Sequence, residues 1–182
     1  MRCFGEGDAV YEDYHDTEWG RPQNQERQLY EKICLEAFQA GLSWITVLRR
    51  REVLREVFAG FDPDVVAGMD VEPLMADVRL IRSGPKLRAC VRNAVATVAL
   101  RDHGGLVDLV WSYRTDGAAP ASWSDVPAST PASAELARRL KKAGFVFVGP
   151  TTVYSLLQAC GIVDDHLADC PLRQEVEAER GR

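Results

Sequence analysis

The sequence lacks any apolar run approaching the roughly 20 residues that span a membrane, and no apolar secretion signal follows Met1-Arg2-Cys3. It also lacks an internal repeat. We therefore expect a soluble, cytoplasmic protein with no membrane partner. The length of 182 residues is sufficient for one domain with a sizeable core.

Cysteine is scarce, and the count of five is odd. In a chain with no secretion signal, this argues against a disulfide framework and favours free thiols and metal ligands. Cys34, Cys90 and Cys160 lie in apolar helical contexts and are predicted to be core residues.

An excess of positive charge is absent as well. The 22 Lys and Arg residues are outnumbered by 27 Asp and Glu residues, and the net charge of −5 argues, on average, against a nucleic-acid partner. Basic residues nevertheless cluster in segments 49–51, 79–92 and 138–142. Each cluster is explained by a solvated helix face, but their number leaves a basic groove open as an alternative.

The hydrophobic pattern is helical in nearly every segment, and it predicts one all-α domain. Gly41, Gly60 and Gly144 are predicted helix terminators, and residues 114–130 are predicted to form the one long loop. The charged tail, 171–182, is predicted to fray beyond a domain of residues 1–170. The predicted helices cover residues 29–40, 43–59, a short turn from Asp62, 86–100, 107–113, 131–143 and 152–160.

The two ends of the chain carry what looks like two halves of one metal site. Cys3 and His15 lie near the start, and His166 and Cys170 lie near the end at His-x3-Cys spacing. Two thiolates and two imidazoles form a complete ligand set for one structural zinc, with no position left for a catalytic water. Such a zinc would tie the terminal segments together. On spacing alone, chance placement of these residues remains the alternative.

A carboxylate, Glu36, lies in the most apolar predicted helix, two turns before Trp44. A buried carboxylate without a partner is costly, so this position attracts a functional interpretation. The alternatives are that Glu36 faces solvent or pairs with Lys32 at i−4.

Two further segments have both a functional and a structural interpretation. Tyr11, Tyr14, His15 and Trp19 fall within ten residues, so their rings either stack on a flat ligand or pack around the metal. The turn 83–85 precedes a basic helix and either holds a phosphate through backbone N–H groups or is an ordinary connection between helices.

Three of these stretches together resemble the 3-methyladenine DNA glycosylase I family of helix-hairpin-helix glycosylases. The resemblance covers residues 3–170 and is most specific in 14–20 (YHDTEWG), 39–48 (QAGLSWITVL) and 145–166. It implies a monomeric, monofunctional enzyme of the bacterial cytosol. Such an enzyme flips N3-methyladenine out of double-stranded DNA, hydrolyses its N-glycosidic bond and releases free 3-methyladenine, which initiates base excision repair.

The resemblance also implies roles for individual residues. Glu36 would be the acid of the base pocket, Tyr14 and Trp44 would stack on the flipped base, and Trp19 would line or support the pocket. Many relatives carry a tryptophan two positions after the first cysteine. In this chain Phe4 directly follows that cysteine, and we assign to it the same pocket-covering role.

On the DNA side, the resemblance places Gln39 and Leu42 where the base has left the stack. Gly84 and Lys86 would contact phosphate at the hairpin. The same resemblance assigns the zinc to the four terminal cysteines and histidines.

Two other functions remain open from the sequence. One is a zinc-stapled DNA- or ligand-binding module that kept the pocket without turnover. The other is cleavage of the same bond on bulkier alkyl adducts, which the smaller Phe4 would accommodate. Release of a base from DNA distinguishes an enzyme from a binding module.

Overall fold

The computed structural model describes residues 1–181, and these form one all-helical domain without β-strands, in agreement with the predicted class. No helix within this range is both long enough and apolar enough to cross a bilayer. The α-helices are α1 (Ala9–Thr17), α2 (Glu26–Gln39), α3 (Trp44–Leu48), α4 (Arg51–Val57), α5 (Pro63–Val66), α6 (Gly84–Leu100), α7 (Gly105–Trp111), α8 (Pro131–Lys142), α9 (Pro150–Ala159) and α10 (Arg173–Arg180).

Helix α2 is the centre of the domain. All of its residues from Leu29 to Phe38 are buried, and α3, α6, α7 and α9 pack against it. A helix covered on all sides has no solvent face for its charged residues. Lys32 and Glu36, one turn apart, are therefore only 2% and 5% exposed, and each needs a partner or a function.

The single helix predicted between Ser43 and Gly60 is divided into α3 and α4. Its break is at Arg50, which has φ −109° and ψ 0°. Helix α3 packs on α1 and α2, whereas α4 directs Arg51 and Arg55 to the carboxylate of Glu31 at 2.6 and 2.9 Å. The change of direction at Arg50 allows both sets of contacts to form.

The prediction that the chain frays after Cys170 is wrong for the residues described. Helix α10 occupies this segment, and Val176 on its inner face is buried. Arg173 donates a hydrogen bond to the carbonyl oxygen of His166. Arg180 donates to another backbone carbonyl oxygen at 2.7 Å. Arginine side chains that cap buried carbonyls explain why a highly charged segment packs on the domain. Residue 182 of the predicted tail lies outside the described residues.

The predicted loop 114–130 is largely irregular, as expected, but it is not featureless. Its residues Trp123–Asp125 form a 3-10 helix. Ser122 and Asp125 close this turn through a reciprocal capping box, which fixes the local backbone.

Candidate active site

A cavity of about 340 Å³ opens beside the C-terminal half of α2. Its lining combines aromatic rings with a buried acid, which suits a flat ligand that carries positive charge. The lining residues are Phe4, Tyr11, Tyr14, Trp19, Glu36, Gln39, Trp44, Trp123, Ser155 and Gln158.

A larger groove of about 1010 Å³ lies between α6, α7 and α8. The described residues that line it include no Phe, Tyr or Trp, and its Arg138 pairs with Glu135 at 2.6 Å. The smaller aromatic cavity is therefore the candidate site, because binding sites combine apolar walls with a few convergent polar groups.

The structure brings all five predicted pocket residues to this cavity: Glu36, Tyr14, Trp44, Trp19 and Phe4. The ring centroids of Tyr14 and Trp44 are 5.4 Å apart, with an interplanar angle of 51°. Phe4 meets the edge of Trp19 at 5.0 Å and approaches Tyr14 at 6.3 Å. These contacts join the rings into one continuous aromatic wall around the acid.

Burial of Glu36 raises the pKa of its carboxyl group to about 8, and the charge of Lys32 acts in the opposite direction. The group therefore gains much by ionising beside a bound cation, because a cation in the cavity replaces part of the solvation that burial removed. A carboxyl with a strongly shifted pKa in an aromatic cavity is a candidate functional group on physical grounds.

The structural alternative for Glu36, an ion pair with Lys32, is wrong. The Lys32 ammonium bonds to the Glu18 carboxylate at 2.5 Å and reaches the Tyr14 hydroxyl at 3.4 Å. It also lies 4.8 Å from the Tyr14 ring centroid. Burial raises the pKa of Glu18, but the charges of Lys32 and Arg51 outweigh that effect and lower it to about 2. The Lys32 charge is therefore balanced outside the cavity, and Glu36 remains available to a ligand.

Three lining residues were not singled out from the sequence: Trp123, Ser155 and Gln158. Of the two alternatives left open for Tyr11, its place in the lining favours the ligand-facing one. Ser155 and Gln158 are polar residues three positions apart on the mostly apolar helix α9, which is a detectable signal of a polar contact on one face. Trp123 is an isolated aromatic residue in a polar loop, and no local periodicity connects it with the other rings.

The predicted DNA-facing residues differ in their surroundings. Gln39 lines the cavity at the end of α2, and Leu42 is 40% exposed just beyond it. A side chain added at Gly84 would meet Arg88 and Met75. The Lys86 ammonium donates hydrogen bonds to the carbonyl oxygens of Phe38, at 2.9 Å, and Ala40. Lys86 thus caps the end of α2, and its predicted phosphate contact stays a prediction.

Three of the predicted metal ligands meet behind the aromatic wall. The ligand atoms of Cys3, His15 and Cys170 all lie within 4.8 Å of one another and are buried. His166 is outside this group, but its ring centroid is 5.5 Å from that of His15. Its buried Nε2 has no hydrogen-bond partner among residues 1–181. Cys3, His15 and Cys170 form a group that suits a metal ion. The Nε2 atom of His166 is buried and unpaired among the described residues, and a metal ion would give it a partner.

Both histidines are oriented by carboxylates. His15 Nδ1 lies 2.8 Å from Asp16, and His166 Nδ1 lies 2.8 Å from Asp164. Such carboxylate contacts typically fix a metal-binding imidazole so that its other nitrogen points at the ion. Gly20, in the turn after α1, has φ +79°, and a Cβ there would lie 2.4 Å from the His166 ring. The close approach of this turn to His166 therefore requires glycine.

Comparison with known proteins agrees with this geometry. A family model described as methyladenine glycosylase matches residues 4–174. A DNA-3-methyladenine glycosylase of Haemophilus influenzae is 46% identical over 180 residues, which cover 94% of this chain and 97% of the relative. DNA-3-methyladenine glycosylase 1 of Escherichia coli is 46% identical over 170 residues, which cover 90% of this chain and 91% of the relative.

Solved structures have the same fold. A crystal structure of a variant 3-methyladenine DNA glycosylase I in complex with 3-methyladenine superposes with a TM-score of 0.90 at 34% identity. The superposition covers 94% of this chain and 96% of that one. The likeness thus extends over essentially the whole domain, including the helices that carry the cavity.

Proposed function

Because the chain belongs to the methyladenine glycosylase family, we propose that it excises N3-methyladenine from double-stranded DNA. It hydrolyses the N-glycosidic bond, releases free 3-methyladenine and leaves an abasic site, which is the first step of base excision repair. The relatives come from bacteria, and we place this enzyme, as a monomer, in the bacterial cytosol.

The observation that carries this proposal is the buried carboxyl of Glu36 within the aromatic wall. A glycosylase must flip its target nucleotide into a pocket that stacks on the base and reads its edge. Methylation at N3 makes the base cationic, whereas adenine is neutral. The electron-rich faces of Tyr14 and Trp44 attract that cation, and Glu36 supplies the opposite charge in a site of low dielectric.

Positive charge on the base also explains how the bond breaks. As the bond between C1′ and N9 cleaves, its electron pair moves into the purine, which leaves as a neutral base. Water adds to the positively charged C1′ and loses a proton to bulk solvent. The pocket residues hold the base in place and exclude solvent. Glu36 selects the charged base before cleavage, so no strong activation of the leaving group is needed.

The surroundings of Lys32 support a monofunctional enzyme. An amine nucleophile must be free to attack C1′, but the Lys32 ammonium is held by Glu18 and lies behind Tyr14. We therefore expect hydrolysis alone, without cleavage of the DNA backbone.

We place the DNA along the end of α2. Leu42 is an exposed apolar side chain between two cavity residues, Gln39 and Trp44. In that position Leu42 and Gln39 occupy the space that the flipped base leaves. The hairpin at Gly84 and Lys86 lies alongside, and Lys86 supports this face by holding the last carbonyl groups of α2.

For the metal group we propose one structural zinc per chain, bound by Cys3, His15, Cys170 and His166. A closed set of two cysteines and two histidines is typical of structural zinc. The orphaned Nε2 of His166 supports its inclusion. The ion would fix the segment that carries Tyr14 and Phe4 against the C-terminal part of the chain, without contacting the base.

The test is to incubate the protein with DNA treated with a methylating agent and to identify released bases by chromatography. Glu36→Gln keeps the shape of the side chain but removes its charge. Charge-assisted hydrogen bonds exceed neutral ones by about 1 kcal/mol, so release of 3-methyladenine should fall roughly fivefold. The wild-type kcat/KM should rise with pH toward about 8, as Glu36 ionises, and the variant should lose that rise.

Trp44→Ala distinguishes the contribution of the pocket from that of the DNA-binding surface. It should reduce release through lost stacking and leave affinity for undamaged duplex nearly unchanged. If the wild-type protein binds methylated DNA but releases no base, it is a binding module. If both variants release 3-methyladenine at the wild-type single-turnover rate, the pocket lies elsewhere.

A further inference from the structure

Trp123 completes the rim of the cavity from a distant part of the chain. It lies in the loop between α7 and α8, but its ring centroid is 6.1 Å from those of both Phe4 and Trp19. It lines the same cavity as Glu36 and is 41% exposed, so the indole forms the outer edge of the aromatic wall.

Several contacts hold Trp123 in this position. The capping box of Ser122 and Asp125 fixes the turn on which it lies. Its indole N–H donates a hydrogen bond to the carbonyl oxygen of Cys3. Two residues before that turn, the carbonyl oxygen of Pro120 accepts a hydrogen bond of 2.9 Å from the backbone of Ala168. A large exposed aromatic ring with this many supports is pre-organised for a ligand.

We infer that Trp123 is a specificity-determining residue that forms the outer wall of the base pocket and limits the N3 substituent to a small alkyl group. This inference rests on the proposed excision of N3-methyladenine. The wall contributes stacking area to the flipped base. It also closes the cavity on the side that faces solvent, where a longer alkyl chain would otherwise extend.

The contribution of the indole has two separable parts, ring area and anchoring. Trp123→Phe keeps a ring but loses the hydrogen bond to Cys3, whereas Trp123→Ala removes both. Trp111 offers a matched control. It is half-buried outside the cavity, and its indole N–H donates to the carbonyl oxygen of Gln23 at 2.8 Å. Trp111→Phe therefore loses the same kind of bond without changing the pocket.

The experiment measures two quantities for each variant: the affinity for free 3-methyladenine by calorimetry, and the bases released from methylated and from ethylated DNA by chromatography. Trp123→Ala should weaken 3-methyladenine binding about tenfold, in the range expected for loss of base–aromatic stacking. The ratio of 3-ethyladenine to 3-methyladenine released should rise severalfold. Trp123→Phe should fall between Trp123→Ala and the wild type, and Trp111→Phe should match the wild type.

Unchanged affinity and an unchanged ratio in folded Trp123→Ala would overturn the inference and leave the excision activity standing. So would equal shifts in Trp111→Phe and Trp123→Phe. If Trp123→Ala does not fold, the same two measurements are made on Trp123→Phe, and unchanged affinity with an unchanged ratio overturns the inference. If the wild type releases no base, the excision activity itself fails, and the inference about Trp123 fails with it.

Discussion

Lys32 and Glu36 are one turn apart on the same buried helix, but among residues 1–181 only Lys32 has a side-chain partner. Lys32 is balanced by Glu18, which itself pairs with Arg51. Glu36 is left with a raised pKa and a cavity in front of it. A protein that keeps a carboxyl in such surroundings loses stability at that position, which is the usual cost of a prepared binding site.

That loss has a defined pH dependence. The Glu36 carboxyl ordinarily ionises near 4.5 but has a pKa of about 8 in the folded protein. Between these values the folded state binds more protons than the unfolded chain. The free energy of unfolding therefore decreases as pH rises, by up to about 1.4 kcal/mol per pH unit. Glu36→Gln has no charge to lose and should become progressively more stable than the wild type.

The measurement is urea unfolding of both proteins at pH 5, 6.5 and 8. Every other titrating group is common to the two chains, so the difference in unfolding free energy isolates Glu36. We expect this difference to grow across the series. A constant difference would mean that Glu36 is not destabilised by burial.

At this scale the sequence predicts which residues line the cavity better than it predicts their hydrogen-bond partners. Glu36 and Trp44 follow from a motif of neighbouring residues, and both line the cavity. The partner of Lys32 is Glu18, which lies just after the end of α1, and helical spacing cannot reveal it. Trp123 is separated by 120 residues from the Cys3 carbonyl that anchors it. Such contacts join segments that are far apart in the chain, so short-range sequence patterns do not predict them.

Among the helices, the junction between α2 and α6 connects the pocket to the turn at residues 83–85, which precedes the basic side of α6. The last carbonyl groups of a helix have no partners within the helix. Lys86 satisfies those of Phe38 and Ala40 and thereby holds the segment that ends at Leu42. Burial lowers the pKa of Lys86, as expected for an ammonium partly removed from water.

We expect Lys86→Met to lower the unfolding free energy by about 1 kcal/mol and to reduce excision severalfold through disorder at Leu42. The salt dependence of binding to undamaged duplex should stay the same, because the ammonium is already used within the protein. Lys141→Met, at an exposed lysine in the last turn of α8, is the control for charge. If the plot of log binding constant against log salt concentration becomes shallower by about one in Lys86→Met, the predicted phosphate contact of Lys86 is established instead.

Helix boundaries were predictable only where local signals dominate. Gly41 and Gly144 follow α2 and α8 closely, and Thr130 caps α8 through its side chain. The short helix α1 and the tail helix α10 were not predicted. Helix α1 carries two buried residues, and α10 depends on arginines that bond distant carbonyl groups. For α1 the partners include α3, and for α10 they include the carbonyl groups of His166 and Gly161. These partners lie outside the helices themselves, so helical periodicity does not indicate them.

For the molecule as a whole, the proposed zinc should act on stability more than on chemistry. Purified protein should contain about one zinc per chain. Cys170→Ala should lose the metal and lower the melting temperature, but activity per folded molecule should change less, because Cys170 does not line the cavity. Metal content, melting temperature and single-turnover rate together test this.

Cys90→Ala is the matched control, since Cys90 is a buried thiol outside the metal group. It should lower the melting temperature while the zinc content stays the same. If freshly purified wild-type protein, never exposed to a chelator, contains no zinc, the proposed metal assignment is wrong.

The backbone N–H of Leu167 donates a hydrogen bond to the sulfur of Cys3, 164 residues away, so the N-terminal segment completes its contacts only when the C-terminal part of the chain has been synthesised. A ribosome adds roughly 5–20 residues per second, so the start of the chain waits on the order of ten seconds for its partner. During that interval α1 can pack on α3, but Cys3 and His15 lack Cys170, their partner in the metal group. The lining of the base pocket extends to Gln158, so the pocket is complete only after most of the chain has been synthesised.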